Sequence, residues 1–256
     1  MMYRSNQIVA QVLKLLRVMV EPGISTMDLD QVAERELLKR GATPAFKGYH
    51  GFPAALCVSI NEEIVHGIPS SRRKLREGDI VSLDLGAKLE GYIGDSAITV
   101  GVGRISHLAK HLLDTTEGAL YAGIAECHDG NRICDVSRSI QTYVESRGFA
   151  VVRELVGHGV GRELHEAPQV PNYYDERMRA RIRPGMVIAL EPMVVEGDWR
   201  ILTRSDGWTA VTYDGKLSAH FEHSVAVTRS GPQILSKLAE PVTQEESCMQ
   251  GDRLHG

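Results

Sequence analysis

Two distant segments of this chain, REGDIVSLD at 76–84 and RPGMVIALE at 183–191, spell one pattern: Arg, any residue, Gly, any residue, two β-branched residues, a small residue, Leu, then an acid. Downstream of each, a second strand-like run opens on another acid, DSAITV from Asp95 and EHSVAV from Glu222. One such match could arise by chance. Acids at corresponding places in two successive strand pairs point to an internal duplication. The repeat constrains the fold strongly, because two copies of one strand hairpin are expected to pack about a pseudo-twofold axis with the acids of both copies converging at its centre.

A pair of helical patterns precedes each strand-rich block. Ser5 is followed by Ile8, Val12, Leu15, Leu16 and Met19, and EPG ends that run. Ser25 or Thr26 can cap a second helix carried by Leu29, Val32, Ala33, Leu37 and Leu38 up to Gly41. In the second half Ser106 leads a helix through Leu112, Leu113 and Leu120, and Asp135 leads another through Ile140 and Val144 to Gly148. The expected architecture is α+β, with an antiparallel sheet covered by helices. It forms a single domain over 1–236, built from halves spanning roughly 1–103 and 104–236. From Lys237 the sequence KLAEPVTQEESCMQGDRLHG loses periodicity, and 237–256 is expected to be disordered.

A chain of 256 residues with 43% hydrophobic content can bury a large core. Its net charge of -4 supplies no basic field for a phosphate backbone, which argues against nucleic acid as the main partner. Cys57, Cys127, Cys134 and Cys248 show neither CxxC spacing nor the density of a disulfide scaffold, so a reducing cytoplasmic setting is expected. Lys14 and Arg17 interrupt the apolar opening, and no run reaches the roughly 18 residues that span a bilayer, which excludes export and membrane insertion at this stage.

Why, then, do Asp84 and Asp95 stand inside apolar strands? An ionised carboxylate buried without a partner is costly, so each must be solvated, paired or bound to a cation. The two lie symmetrically about Leu89 and Glu90, and a tight turn there would set them directly opposite, with side-chain roots about 5 Å apart. Turn capping explains such a pair equally well when it stands alone. The second pair, Glu191 and Glu222, shifts the balance towards a divalent cation. ELVGHGVGRELHEAPQV adds His158 between glycines and His165 seven residues on; EEIVHGIPSS adds His66. Four carboxylates and an imidazole exceed what one small ion needs. Two ions about 3.5–4 Å apart, holding a bridging hydroxide at neutral pH, account for the number and imply metal-assisted hydrolysis.

Residues 5 to about 235 resemble the methionine aminopeptidases of the short bacterial type (type I), which have the pita-bread fold. The matching words are GYHGFP, SINEEIVHGIP, GDIVSLDLGAKLEGYIGDSA, GHGVGRELHEAPQVPNY, MVIALEPM and GWTAVTYDGKLSAHFEHSVAVT, in that order. The resemblance implies a single catalytic metallopeptidase domain that removes initiator methionine from nascent or newly made chains when the next residue is small. It implies metal ligands at Asp84, Asp95, His158, Glu191 and Glu222, with Asp95 and Glu222 bridging two divalent ions (Co, Mn, Fe, Zn or Ni). Glu191 would handle the proton of the bridging water, His165 would stabilise the oxyanion, and His66 would contact the scissile amide. Tyr49, Phe52, Cys57, Leu164 and Trp208, together with His66 and His165, would form the substrate pocket. A monovalent-cation site is expected at backbone oxygens around Asn61 and Ser218. Polypeptide N-termini are the expected partners, with the ribosome surface as a further contact, and a monomer is expected.

Two rival readings share these residues. A prolidase or proline-specific aminopeptidase uses the same ligand set, though usually with an additional amino-terminal domain. A non-catalytic relative could keep the fold as a binding module, yet none of the five ligand positions is lost.

Overall fold

The computed structural model describes residues 1–238. Beyond Leu238 the expected disorder of the tail lies outside the described residues. Four α-helices, α1 (Met2–Met19), α2 (Thr26–Lys39), α3 (His107–Ala125) and α4 (Ile133–Glu145), flank a nine-stranded sheet.

Helix boundaries follow their capping chemistry. Ser25 caps α2: its hydroxyl accepts the Asp28 N–H while the Asp28 carboxylate accepts the Ser25 N–H, satisfying two donors at once. Ser106 caps α3 by accepting the Ala109 N–H. The first helix starts earlier than expected, at Met2. Ser5 is therefore buried within it and donates to the Met2 carbonyl at 2.9 Å. Val9, Val12, Leu13 and Leu16 form the buried stripe of α1 and pack with Leu29 and Leu37 of α2 against Val81, Leu83 and Leu85. Leu112, Leu120, Ile140 and Val144 of α3 and α4 cover Ile188, Leu190 and Val225 in the same manner.

Antiparallel pairing runs through the sheet in the order Thr43–Pro44, Ile80–Leu89, Tyr92–Gly101, Glu222–Thr228, Val187–Leu190, Gly157–Gly159, Glu166–Val170. Leu56–Ile60 also pairs with Ile80–Leu89, and Gly231–Ile234 with Glu222–Thr228.

The repeat is visible in the backbone. Gly78 and Gly185 take φ of 91° and 97°, and donate their N–H groups to Val102 and Val227, both at 2.9 Å. The copies join where Tyr92–Gly101 pairs with Glu222–Thr228, and two serines cross that seam in opposite directions. Ser96 donates to the Glu222 carbonyl at 2.6 Å, and Ser224 to the Asp95 carbonyl at 2.9 Å. The backbones that carry two of the acids are thus tied to each other.

One register expectation is corrected. Leu89 pairs with Tyr92, so the turn is Glu90–Gly91, with φ of 50° and 82°. Two positive φ angles in a two-residue loop match the twist of a hairpin, and glycine supplies one of them without strain. The shift places Asp84 opposite Ala97 and Asp95 opposite Gly86, so the aspartates are diagonal neighbours rather than directly opposed.

Candidate active site and metal centre

Strand registers bring the acids together. Cys57, Asp84, Ala97 and Glu222 form one row across four strands. Paired residues in an antiparallel sheet share a face, and Asp95, two residues from Ala97, lies on it too. His158 pairs with Ala189, which pairs with Ser224, and this brings the imidazole to the same face beside Glu222. Glu191 follows two residues after Ala189. Ligand atoms of Asp95, His158 and Glu222 all lie within 4.8 Å of one another, and His158 Nε2 is 3.4 Å from Glu191 Oε1.

Backbone clearance explains the glycines beside His158. A Cβ at Gly157 would lie 2.4 Å from the Ala189 carbonyl oxygen, and one at Gly159 would lie 2.3 Å from that of Ala167. Only glycine admits such close strands. The His158 ring is oriented by its own neighbour: Nδ1 lies 3.0 Å from the Gly159 carbonyl oxygen. An acceptor there assigns the proton to Nδ1 and leaves the Nε2 lone pair facing the carboxylates.

These groups fit divalent cations. Asp84 Oδ1, Asp95 Oδ1 and Glu222 Oε1 are buried with no hydrogen-bond partner, an arrangement that costs free energy for a lone carboxylate. Burial pushes the Asp84 carboxyl up to about 7. Burial also raises Asp95, Glu191 and Glu222 well above the carboxylate range, and the charges of neighbouring acids raise them further. Burial, then the charge of His165, lowers His158 to about 4, which keeps it a neutral donor. Hard oxygen ligands and one imidazole suit first-row divalent ions.

A cavity of about 430 Å³ opens over this cluster, and it is lined by every residue that the sequence singled out for ligation, catalysis or the pocket. Phe52 and Trp208 meet edge to face at 5.1 Å, and Cys57 and Leu164 pack in the same apolar cluster. Burial, then the nearby carboxylate charges, drives the Cys57 thiol upward, so it serves as wall rather than nucleophile. His66 sits at φ 60° beside Trp208 and is lowered to about 4, by burial first and then by His165. Tyr49 does more than line the pocket, for its hydroxyl lies 2.7 Å from His165 Nδ1. Asn61 and Ser218 are also adjacent, the Ser218 N–H donating to the Asn61 carbonyl at 2.8 Å.

Sequence reasoning missed five apolar wall residues, Phe46, Val65, Leu155, Val156 and Met193. It also missed His220, which is 1% exposed with Nε2 3.9 Å from Glu191 Oε2. Its spacing of two from Glu222 was the available signal.

The model of metallopeptidase family M24 matches residues 1–229. The chain belongs to metallopeptidase family M24. Among the relatives of this M24 chain, methionine aminopeptidase 1 of Bacillus subtilis is 53% identical over 237 residues, covering 93% of this chain and 95% of the relative. Methionine aminopeptidase of Clostridium perfringens is 49% identical over 238 residues, with 93% and 95% covered. The crystal structure of the Thermotoga maritima methionine aminopeptidase superposes with a TM-score of 0.91 at 46% identity, covering 93% of this chain and 95% of that one. Pyrococcus furiosus prolidase shares the pita-bread fold at a TM-score of 0.76, but at 20% identity and with 63% of its chain covered. That likeness concerns fold alone. Among the described residues, no helix of this M24 chain is long and apolar enough to cross a membrane.

Proposed function

We propose that this M24 peptidase is a methionine aminopeptidase that removes the initiator methionine from new polypeptides whose second residue is small. The observation that carries this reading is that one cavity is lined both by the acid and imidazole cluster and by apolar and sulfur-bearing side chains that suit methionine. Substantial identity to methionine aminopeptidases over nearly the whole chain supports it.

Asp84, Asp95, His158, Glu191 and Glu222 would hold two divalent ions. Such ions supply Lewis acidity and lower the pKa of water. The chain's own groups do the rest. Phe52, Cys57, Leu164 and Trp208 enclose the unbranched thioether side chain and exclude water. Glu191, a carboxylate made basic by burial and by the charges of Asp84 and Asp95, takes up a proton as water attacks. The Tyr49 hydroxyl occupies His165 Nδ1, so His165 Nε2 carries the proton and donates to negative charge developing on the carbonyl oxygen. His66 is neutral and orients the scissile amide. The enzyme is read as cytoplasmic and monomeric, meeting nascent chains at the ribosome surface, with a monovalent cation near Asn61 and Ser218.

The test is an assay of metal-stripped protein on Met-Ala-Ser, Met-Leu-Ser and an Xaa-Pro dipeptide, with Mn, Fe, Co, Zn or Ni restored singly. Metal-dependent release of methionine from Met-Ala-Ser, with Met-Leu-Ser slow and the dipeptide intact, is expected. Cleavage of the Xaa-Pro dipeptide alone would overturn the reading.

A further inference from the structure

The two oxygens of Glu191 face two different histidines. Oε1 is 3.4 Å from His158 Nε2 and Oε2 is 3.9 Å from His220 Nε2. The histidines cannot play the same part. His158 spends its N–H on the Gly159 carbonyl, so it turns a lone pair towards Oε1, and two acceptors face each other there unless a cation or a proton lies between them. His220 has no partner at either ring nitrogen and is 1% exposed. A neutral imidazole carries one N–H, and leaving that donor buried and unpaired is costly. Glu191 Oε2, 3.9 Å from Nε2, is a carboxyl oxygen that can accept it.

We propose that His220 is a positioning residue: its ring N–H is donated to Glu191 Oε2, which turns Oε1 towards His158 and the metal cluster. His220 is not among the residues that line the cavity, so it acts through Glu191 rather than on substrate. Its backbone is clamped. The His220 N–H donates to Thr99 Oγ1 at 2.9 Å, Thr99 Oγ1 donates to the His220 carbonyl at 2.7 Å, and Ser82 lies 2.8 Å behind Thr99. Its strand pairs His220 with Met193, two residues beyond Glu191, so ring and carboxylate are mounted on neighbouring backbones. The carboxylate must close by about 1 Å to reach hydrogen-bond distance. Partners behind a ligand orient it and raise its effective affinity for metal, and their loss typically costs about 10–100-fold.

This inference rests on the reading of Glu191 as a ligand. The test compares wild-type protein with His220→Leu, which removes the donor, and His220→Gln, which keeps a neutral N–H. Metal-stripped proteins are titrated with Mn for affinity and stoichiometry, then assayed on Met-Ala-Ser at saturating Mn. Leu at 220 is expected to weaken Mn binding about 10–100-fold with unchanged saturating stoichiometry, and to lower kcat more than it alters KM. The Gln variant is expected to stay within about threefold of wild type. Wild-type Mn affinity in the Leu variant, or equal impairment of both variants, would overturn the proposal. Loss of one bound ion at saturation would make His220 a ligand and overturn it too. Should the Leu variant fail to fold, the imidazole nitrogen spectrum of Zn-loaded wild-type protein decides: one protonated, unmetallated nitrogen pair at His220 is expected, and a metallated nitrogen would contradict it. Mn binding is read independently of peptide turnover, so a failure of the methionine reading leaves this comparison intact.

Discussion

The hydroxyl of Tyr49 lies 2.7 Å from Nδ1 of His165, joining a loop of the first half to one of the second. Burial, then the charge of Glu163, raises the Tyr49 phenol, so it stays protonated. A phenol O–H is the better acid and an imidazole nitrogen the better base, so the oxygen donates and the remaining ring proton sits on Nε2. Tyr49→Phe keeps the pocket wall and removes that constraint. Turnover on Met-Ala-Ser is expected to fall by up to about tenfold, the worth of one hydrogen bond, with KM little changed. Steady-state kinetics check this; a KM effect alone would reduce Tyr49 to a wall.

His165 itself carries a larger share. His165→Ala is expected to lower kcat by about 10²–10³, as for removal of an oxyanion donor, with the full complement of bound metal. Metal analysis of the purified variant checks the second half of that statement. Loss of metal together with activity would make His165 a ligand.

Close strand packing should make the glycines beside His158 intolerant. Gly159→Ala places a methyl 2.3 Å from the Ala167 carbonyl oxygen and forces backbone apart next to a proposed ligand. A loss of about 1–3 kcal/mol in urea unfolding is expected, together with weaker metal binding. Wild-type stability and metal content would contradict this account of the strand.

Much of this was legible in sequence, and for identifiable reasons. Asp84, Asp95, Glu191 and Glu222 stood out because an acid inside an apolar strand demands a partner, and the repeat aligned them. Register was not legible. It depended on whether Leu89–Glu90 or Glu90–Gly91 formed the turn, and the backbone settled it with two positive φ angles. The Tyr49–His165 contact was hidden because it joins loops 116 residues apart, where no periodicity operates. His220 could have been caught, since it stands two residues before Glu222 in the same alternating sequence.

Metal removal should change how stability depends on pH. In the stripped protein the Asp84 carboxyl is raised from 3.8 to about 7, so across that window the folded state holds a proton that the unfolded state has released. Its contribution is present below about 4 and is lost as pH rises through about 7. His66 and His158, lowered from 6.5 to about 4, act in the opposite sense, their contribution being lost as pH falls through about 4. Above about 6.5 the acids act alone. The melting temperature of stripped protein is therefore expected to fall between pH 6.5 and 8, and saturating Mn should abolish that fall. Equal slopes with and without metal would argue that the acids hold none.

The central claim is that five side chains from both halves gather divalent ions at the floor of the methionine pocket. Anomalous diffraction from Mn-loaded crystals tests it most directly. Two peaks within bonding distance of Asp84, Asp95, His158, Glu191 and Glu222, with Asp95 and Glu222 touching both, are predicted. Full Met-Ala-Ser turnover from a protein whose manganese lies elsewhere would contradict the account.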